Sequence, residues 1–386
     1  MSKIKNIAVF TSIRSEYGVL KPLLSKLKAH PLFNLNLLVG GAHLSVEFGN
    51  TKNQIIEDGF NITCEFDFLQ SSTKVDYLTQ SMGLLQKDLG KWLIENKPAL
   101  LLVIGDRFEL LPVVTSALVY NIPIAHISGG DVTEGAVDNQ VRHAITKMSH
   151  LHFPATDSSK NNILQMGEEE WRICVSGEPS LDQLKNFDYL PREVLFKELG
   201  LDVNLPIIIS TFHPETINDS INGWFVEQLF LQIVKETNYQ ILVTASNFDY
   251  GGTQINNTLN DLSTKSNKIK YVINLGQKKY YSLLKFSAIM LGNSSSGIIE
   301  AQSFGLPVLN IGNRQKGRLA NKNVIDVDVN IDSIMKAIPI AVSNNFKDTY
   351  AKYPNIYGDG NACNKIIDFI MANIEKQLLN KKSVFK

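Results

Sequence analysis

The sequence predicts an α/β protein of two doubly wound domains, each a parallel sheet with helices on both faces. Three observations predict it. Continuous apolar runs of strand length, among them residues 4–10, 99–104 and 206–210, suit strands buried on both faces of a parallel sheet. Helical patterns alternate with those runs, which implies right-handed βαβ crossovers. At 386 residues the chain is too long for one comfortable core, and the alternation starts afresh after a linker-like stretch at 176–180.

In the first half, the run 4–10 is followed by a polar loop, 11–18, that carries Arg14, and by an amphipathic helix over 19–29. LNLLVGG reads as the next strand, a helix passes through Ile55, Ile56 and Glu57, a short strand follows, and a long helix covers 75–96. The strand 99–104 ends in Gly105 and Asp106. A shorter one, 122–126, runs into the loop from His126 to Asp138, and the helix entered there carries Arg142 and His143. Residues 151–175 read as a further strand, helix and strand, the last being WRICVSG. In such sheets ligands bind beyond the carboxyl ends of the strands, which picks out Arg14, Asp106 and the loop 126–138 before any chemistry is considered.

The strand 206–210 opens the second half and ends near His213. Helix 224–237, strand 240–245, a loop to Gly252, another helix, strand 269–274, helix 280–287 and strand 288–290 continue the alternation. Next comes Gly292-Asn293-Ser294-Ser295-Ser296-Gly297, then a helix over 298–304 closed by Gly305 and Pro307. The expected division is 1–177 and 178–365, with a C-terminal helix in 366–386 that crosses back onto the first domain.

Composition excludes several classes. Lys plus Arg and Asp plus Glu are both 38, so no global basic field recruits nucleic acid. No apolar run approaches the roughly 20 residues of a membrane span, and the first residues do not read as a signal peptide. Cys64, Cys174 and Cys363 are odd in number and widely spaced, which fits reduced thiols in the cytoplasm better than a disulfide framework or a zinc site.

The chemistry concentrates at strand ends. The turn 292–297 aims helix N–H groups and hydroxyls at one point, which suits a phosphate, although it is neither a Walker loop nor a dinucleotide fingerprint. Glu300 lies one turn into an apolar helix, and Arg314, Lys316 and Arg318 form a basic loop beyond it. A carboxylate for ribose hydroxyls and arginines for a diphosphate sketch a nucleotide-diphosphate site. In the first half, Asp106 and Asp138 read plainly as helix caps, and Asp138 with Arg142 as a surface pair. Taken with Asp131 and Glu134 they are a cluster of like charge, which costs free energy unless it has work or partners.

GDRFELLP, HISGGDVTEGAVDNQVRHAITKMSHLHF, HPET, GNSSSGIIEAQSFGLPVLNIGNRQKGR and YGDGNA closely resemble the hydrolysing UDP-N-acetylglucosamine 2-epimerases over nearly the whole chain. Within that family the sequence is most similar to the bacterial sialic and legionaminic acid branch, which acts on UDP-N-acetylglucosamine or on UDP-2,4-diacetamido-2,4,6-trideoxyglucose. The resemblance implies a GT-B-like fold, two Rossmann-like domains facing a central cleft, and a homodimer. It implies no metal and no cofactor. The reaction implied is loss of UDP to a 2-acetamidoglycal, then addition of water with inversion at C2.

Position by position, the resemblance makes Asp106 and Asp138 catalytic acids and places His213 near the diphosphate. It assigns Ser294, Glu300 and Arg314 to the nucleotide and Arg14 to the first basic loop; Ser295 and Arg318, beside them, are expected to bind it too. Where many members have glutamate after His-Ile, this chain has Ser128, so either Asp131 or Glu134 is expected to take over that role or the change marks a different sugar, such as the 4-acetamido-6-deoxy substrate. Three alternatives remain open: a non-hydrolysing epimerase, a GT-B glycosyltransferase with a separate acceptor, and a nucleotide-sugar binding protein.

Overall fold

The computed structural model describes residues 4–46, 49–69, 76–134, 137–215, 221–246, 251–382 and 384. It is α/β, with two six-stranded parallel sheets. Two compact units share the chain. One contains residues 1–131, 138–185 and 357–386, and the other contains 132–137 and 186–356. The sequence reading placed the boundary at 177, whereas these units divide after Lys185 and rejoin the first at Tyr357.

The sheet of the first unit contains β1 (Lys5–Thr11), β2 (Phe33–Gly40), β3 (Ile62–Phe66), β4 (Leu100–Ile104), β5 (Ile124–Ile127) and β6 (Leu151–Phe153). Their order is β3-β2-β1-β4-β5-β6. The strand β4, LLLVI, is buried at every position because helices cover both faces. Ile7, Val9, Leu100 and Leu102 point into one core, and Ala8, Phe10, Leu101 and Val103 into the other, which is the period of two expected for a strand buried on both sides. Cys363, Ile366, Ile367 and Ile370 of the helix Ala362–Asn373 belong to the first of these cores.

The second unit repeats the plan with β7 (Ile207–Thr211), β8 (Gln240–Thr244), β9 (Ile269–Val272), β10 (Ile289–Gly292), β11 (Val308–Ile311) and β12 (Val324–Val327). The order is β12-β11-β10-β7-β8-β9. In each unit the strand order reverses once, between β1 and β4 and between β7 and β10. A doubly wound sheet leaves its ligand crevice beyond the carboxyl ends of such a pair.

Two local expectations differ from the structure. The polar loop expected over 11–18 is mostly helix: the helix Arg14–Ala29 starts five residues before the expected position. Its N-cap, Ile13, has no capping side chain, so the usual start signal is missing. Glu16 instead reaches back one turn to the N–H of Ser12 at 3.0 Å. WRICVSG is not a sheet strand among the described residues. Glu170–Arg172 is a 3-10 turn, and Ile173 makes a single bridge to His152.

Candidate active site

In the first unit the ends of β1 and β4 meet at the point of reversal. Ser12 follows β1, and its Oγ lies 3.2 Å from Glu16 Oε2 and 3.0 Å from Glu109 Oε1. Arg107 Nε donates to the same Glu109 oxygen at 2.8 Å. Glu16 and Glu109 are both buried, and each keeps one carboxyl oxygen without a hydrogen-bond partner. Burial, and then the charge of Glu109, push the Glu16 carboxyl up to about 7. Nothing in the sequence singles out this pair, because a glutamate in a polar loop and one in GDRFE look like ordinary solvated charges.

Asp106 stands two residues beyond β4. Its carboxylate takes a hydrogen bond from Arg142, on the helix Asp138–Met148, and that arginine is only 2% exposed. Arg142 also donates to the carbonyl of Asp131 at 2.9 Å. A guanidinium buried to this degree persists only when paired. His126 fixes the approach from behind: it bonds the carbonyl of Gly105 through Nε2 at 2.8 Å and Thr146 Oγ1 through Nδ1 at 3.1 Å. Burial holds this imidazole down at about 3 and therefore neutral, so Nε2 donates to the carbonyl and Nδ1 accepts from the hydroxyl.

Asp138 is the first residue of its helix. Asp131 is buried and accepts from Ser159 on the helix Asp157–Gln165. Glu134 belongs to the segment grouped with the second unit, where its N–H donates to the carbonyl of Lys316 at 2.9 Å and its exposed carboxylate lies 3.9 Å from Lys316 Nζ. The structure therefore places Asp131 and Glu134 in different surroundings. Arg14 is the first residue of the helix that follows β1. Gly135, Ala136 and Thr216 of the sequence motifs lie outside the described residues.

In the second unit the ends of β7 and β10 hold His213 and the serine turn. Gly292 has φ +144°, and a Cβ there would sit 2.1 Å from the carbonyl oxygen of Thr211, so only glycine closes this crossing. Asn293 follows and brackets the backbone of His213. Ser294 caps the short helix Ser295–Ile299, its Oγ accepting from the N–H of Ser296. The expected helix 298–304 is this short α-turn plus a 3-10 turn, Ala301–Phe304, ended by Gly305 in the left-handed region.

Glu300 Oε2 accepts from Ser296 Oγ at 2.5 Å, and Oε1 accepts from Tyr281 at 2.9 Å. Tyr280 donates to Ser296 Oγ at 2.7 Å, which completes a polar chain around the carboxylate. Beyond β11, Arg314 and Gln315 both donate to the carbonyl of Asn293, at 3.3 and 3.0 Å. Arg318 donates to Gln315 Oε1 at 3.0 Å. The loop is held by Glu215, which accepts from the N–H of Asn313 at 2.5 Å. A carboxylate, hydroxyls, a histidine and an arginine thus follow the carboxyl ends of β7, β10 and β11, the inventory a nucleoside diphosphate requires. Among the described residues, no group of three or more His, Cys, Asp or Glu is placed to hold a metal ion, and no helix is long and apolar enough to cross a membrane.

Comparison with known proteins gives these residues a context. The family described as UDP-N-acetylglucosamine 2-epimerase matches residues 25–371. The chain is 35% identical to the Campylobacter jejuni GDP/UDP-N,N'-diacetylbacillosamine 2-epimerase (hydrolyzing), over 99% of both chains. It is 34% identical to the Legionella pneumophila UDP-N,N'-diacetylbacillosamine 2-epimerase (hydrolyzing), over 99% of this chain and 100% of that one. Among solved structures, the Neisseria meningitidis UDP-GlcNAc 2-epimerase bound to UDP-GlcNAc superposes with a TM-score of 0.83 at 19% identity, covering 96% of this chain and 100% of that one. This likeness supports the GT-B-like fold.

Proposed function

Because the chain belongs to the UDP-N-acetylglucosamine 2-epimerase family, we propose that it is a hydrolysing 2-epimerase that converts a UDP-2-acetamido sugar into the free manno-configured sugar and UDP. UDP-N,N'-diacetylbacillosamine is the first substrate to try, since the Campylobacter and Legionella relatives bear that name. UDP-N-acetylglucosamine is the second. The product belongs with the assembly of sialic- or legionaminic-type acids, in the cytoplasm, by an enzyme that pairs as a homodimer.

The C2–H of such a sugar is barely acidic, so C1–O cleavage must run ahead and build positive charge at C1. Carboxylates stabilise that charge and move the C2 proton. The observation that carries the proposal is Asp106, a carboxylate at the end of a central strand fixed by a buried arginine. Asp106 and Asp138 serve the sugar, and Asp131 and Glu134 are the further acids in that loop. His213, Ser294, Ser295, Glu300, Arg314 and Arg318 serve the UDP, with Arg14 contributing a second basic group. The leaving diphosphate gains stabilisation from the arginines as its charge develops. No metal or cofactor enters this scheme.

The test is to incubate the purified protein with each nucleotide sugar and to quantify UDP against free sugar. Equal amounts of UDP and a manno-configured monosaccharide are expected. Nucleotide sugar epimerised without UDP release would replace the hydrolysing reaction by the non-hydrolysing one.

A further inference from the structure

The strand β5 is followed by Ser128, whose backbone takes the left-handed conformation at φ +59°. Only a few per cent of residues other than glycine do so, and serine is not among those that favour it, so this turn is imposed by its surroundings. The two residues that follow show how. A Cβ on Gly129 would lie 2.7 Å from the His126 ring, and one on Gly130 would lie 2.3 Å from the carbonyl oxygen of Ser159. The turn is packed to the backbone, and the Ser128 side chain is aimed by it.

That side chain meets a carboxylate. Ser128 Oγ lies 3.0 Å from both oxygens of Glu178, a residue only 5% exposed. Glu178 comes from the stretch after β6. Its N–H donates to the carbonyl of Tyr357 at 2.7 Å, and Gly177 beside it crosses Gly358 so closely that a Cβ would stand 3.2 Å from its Cα. Three distant parts of the chain thus converge to hold one glutamate at the carboxyl end of β5.

The location relates directly to Asp106. Ile104 and Ile127 are register partners on the adjacent strands β4 and β5, and the N–H of Gly105 donates to the carbonyl of Ile127. Ser128 is therefore one strand spacing, about 5 Å, from the residue that precedes Asp106.

We infer that Glu178 is a catalytic base of the reaction, presented at the end of β5 by Ser128. This rests on the hydrolysing-epimerase reading. As the C1–O bond breaks and UDP leaves with its electron pair, Glu178 takes the C2 proton, and the C2–H pair becomes the C1–C2 double bond of the glycal. The acid so formed returns its proton to solvent after UDP departs. Asp131, bonded to Ser159, and Glu134, beside Lys316, are not required for this step.

The experiment compares wild type, Glu178→Gln and Ser128→Ala with the better of the two UDP-sugars in D₂O, with UDP affinity measured in parallel. Glu178→Gln should bind UDP within about threefold of wild type and lose at least about a hundredfold in kcat, together with C2 deuterium incorporation. Ser128→Ala should lose roughly tenfold in kcat, and the acid limb of its pH profile should move to higher pH, because a base that loses a donor holds its proton more tightly. If wild type turns over but Glu178→Gln keeps kcat within about tenfold, or Ser128→Ala keeps the wild-type rate and profile, Glu178 is not the base and the epimerase reading stands. If wild type releases no UDP from either sugar, both fall together. Should Glu178→Gln fail to bind UDP, the Ser128→Ala profile decides.

Discussion

Asn293 and His213 close a ring of two hydrogen bonds. Asn293 Oδ1 accepts from the backbone N–H of His213 at 2.7 Å, and its Nδ2 donates to the carbonyl of the same residue at 2.8 Å. The asparagine is fully buried, and its own carbonyl takes the hydrogen bonds of Arg314 and Gln315. One residue therefore sets the register among the histidine, the serine turn and the basic loop.

Asn293→Ala removes both bonds and leaves two buried backbone groups unsatisfied. UDP affinity should fall by about tenfold to a hundredfold, which corresponds to roughly 1–3 kcal/mol. Titration calorimetry with UDP measures it. An unchanged affinity would show that this clamp does not organise the nucleotide site.

Asp106→Asn keeps the shape and one acceptor for Arg142 but removes the charge. Turnover should fall at least about a hundredfold while UDP affinity changes little, since UDP is assigned to residues other than Asp106. A variant that instead lost UDP binding with kcat unchanged would reassign Asp106 from chemistry to ground-state binding.

The Glu16 carboxyl, at about 7 when folded against 4.5 when unfolded, makes stability depend on pH in a definite direction. Folding favours its protonated form, so its contribution is fully present below pH 4.5 and is lost as pH rises through about 7. Burial and the neighbouring charge of Glu109 hold that proton on Glu16, against the Ser12 hydrogen bonds, which favour the charged form. Glu16→Gln mimics the acid permanently. Relative to wild type it should gain up to about 3 kcal/mol above pH 8 and nothing near pH 4. Thermal melts at the two pH values test it, and equal shifts at both would contradict the proton assignment.

Glu168 works in the opposite sense. Burial alone would raise its carboxyl, but hydrogen bonds from His152, Lys147 and Lys381 outweigh that and bring it down to about 2. Its stabilisation is present above the unfolded value of 4.5 and is lost as pH falls through about 2. Glu168→Gln should cost roughly 3 kcal/mol at neutral pH, with the gap to wild type closing in acid. Denaturant titrations at pH 7 and pH 3 would reveal a smaller gap at the lower value, and a constant gap would rule the ion cluster out as its source.

Much of the fold was legible because strands buried on both faces write themselves as unbroken apolar runs, as LLLVI does in β4. Gly292 was legible too, since a glycine between a strand and a polar turn signals a close crossing. What was missed depends on contacts between distant residues. Ser128 looked like the loss of a carboxylate, and nothing local shows that Glu178, fifty positions on, bonds to its hydroxyl. Glu16 and Glu109 looked like surface charges because no periodicity reveals a shared serine. The helix at Arg14 was read as loop because its start is stabilised by a glutamate reaching back to Ser12 rather than by a capping side chain.

The central claim, hydrolysis with inversion at C2, is tested most directly by proton NMR of the wild-type protein in D₂O with UDP-N,N'-diacetylbacillosamine and with UDP-N-acetylglucosamine. Deuterium at C2 of a free manno-configured sugar, with UDP in equal amount, is the predicted result. Deuterium in a nucleotide sugar with no free UDP, or no change with either substrate, would contradict it.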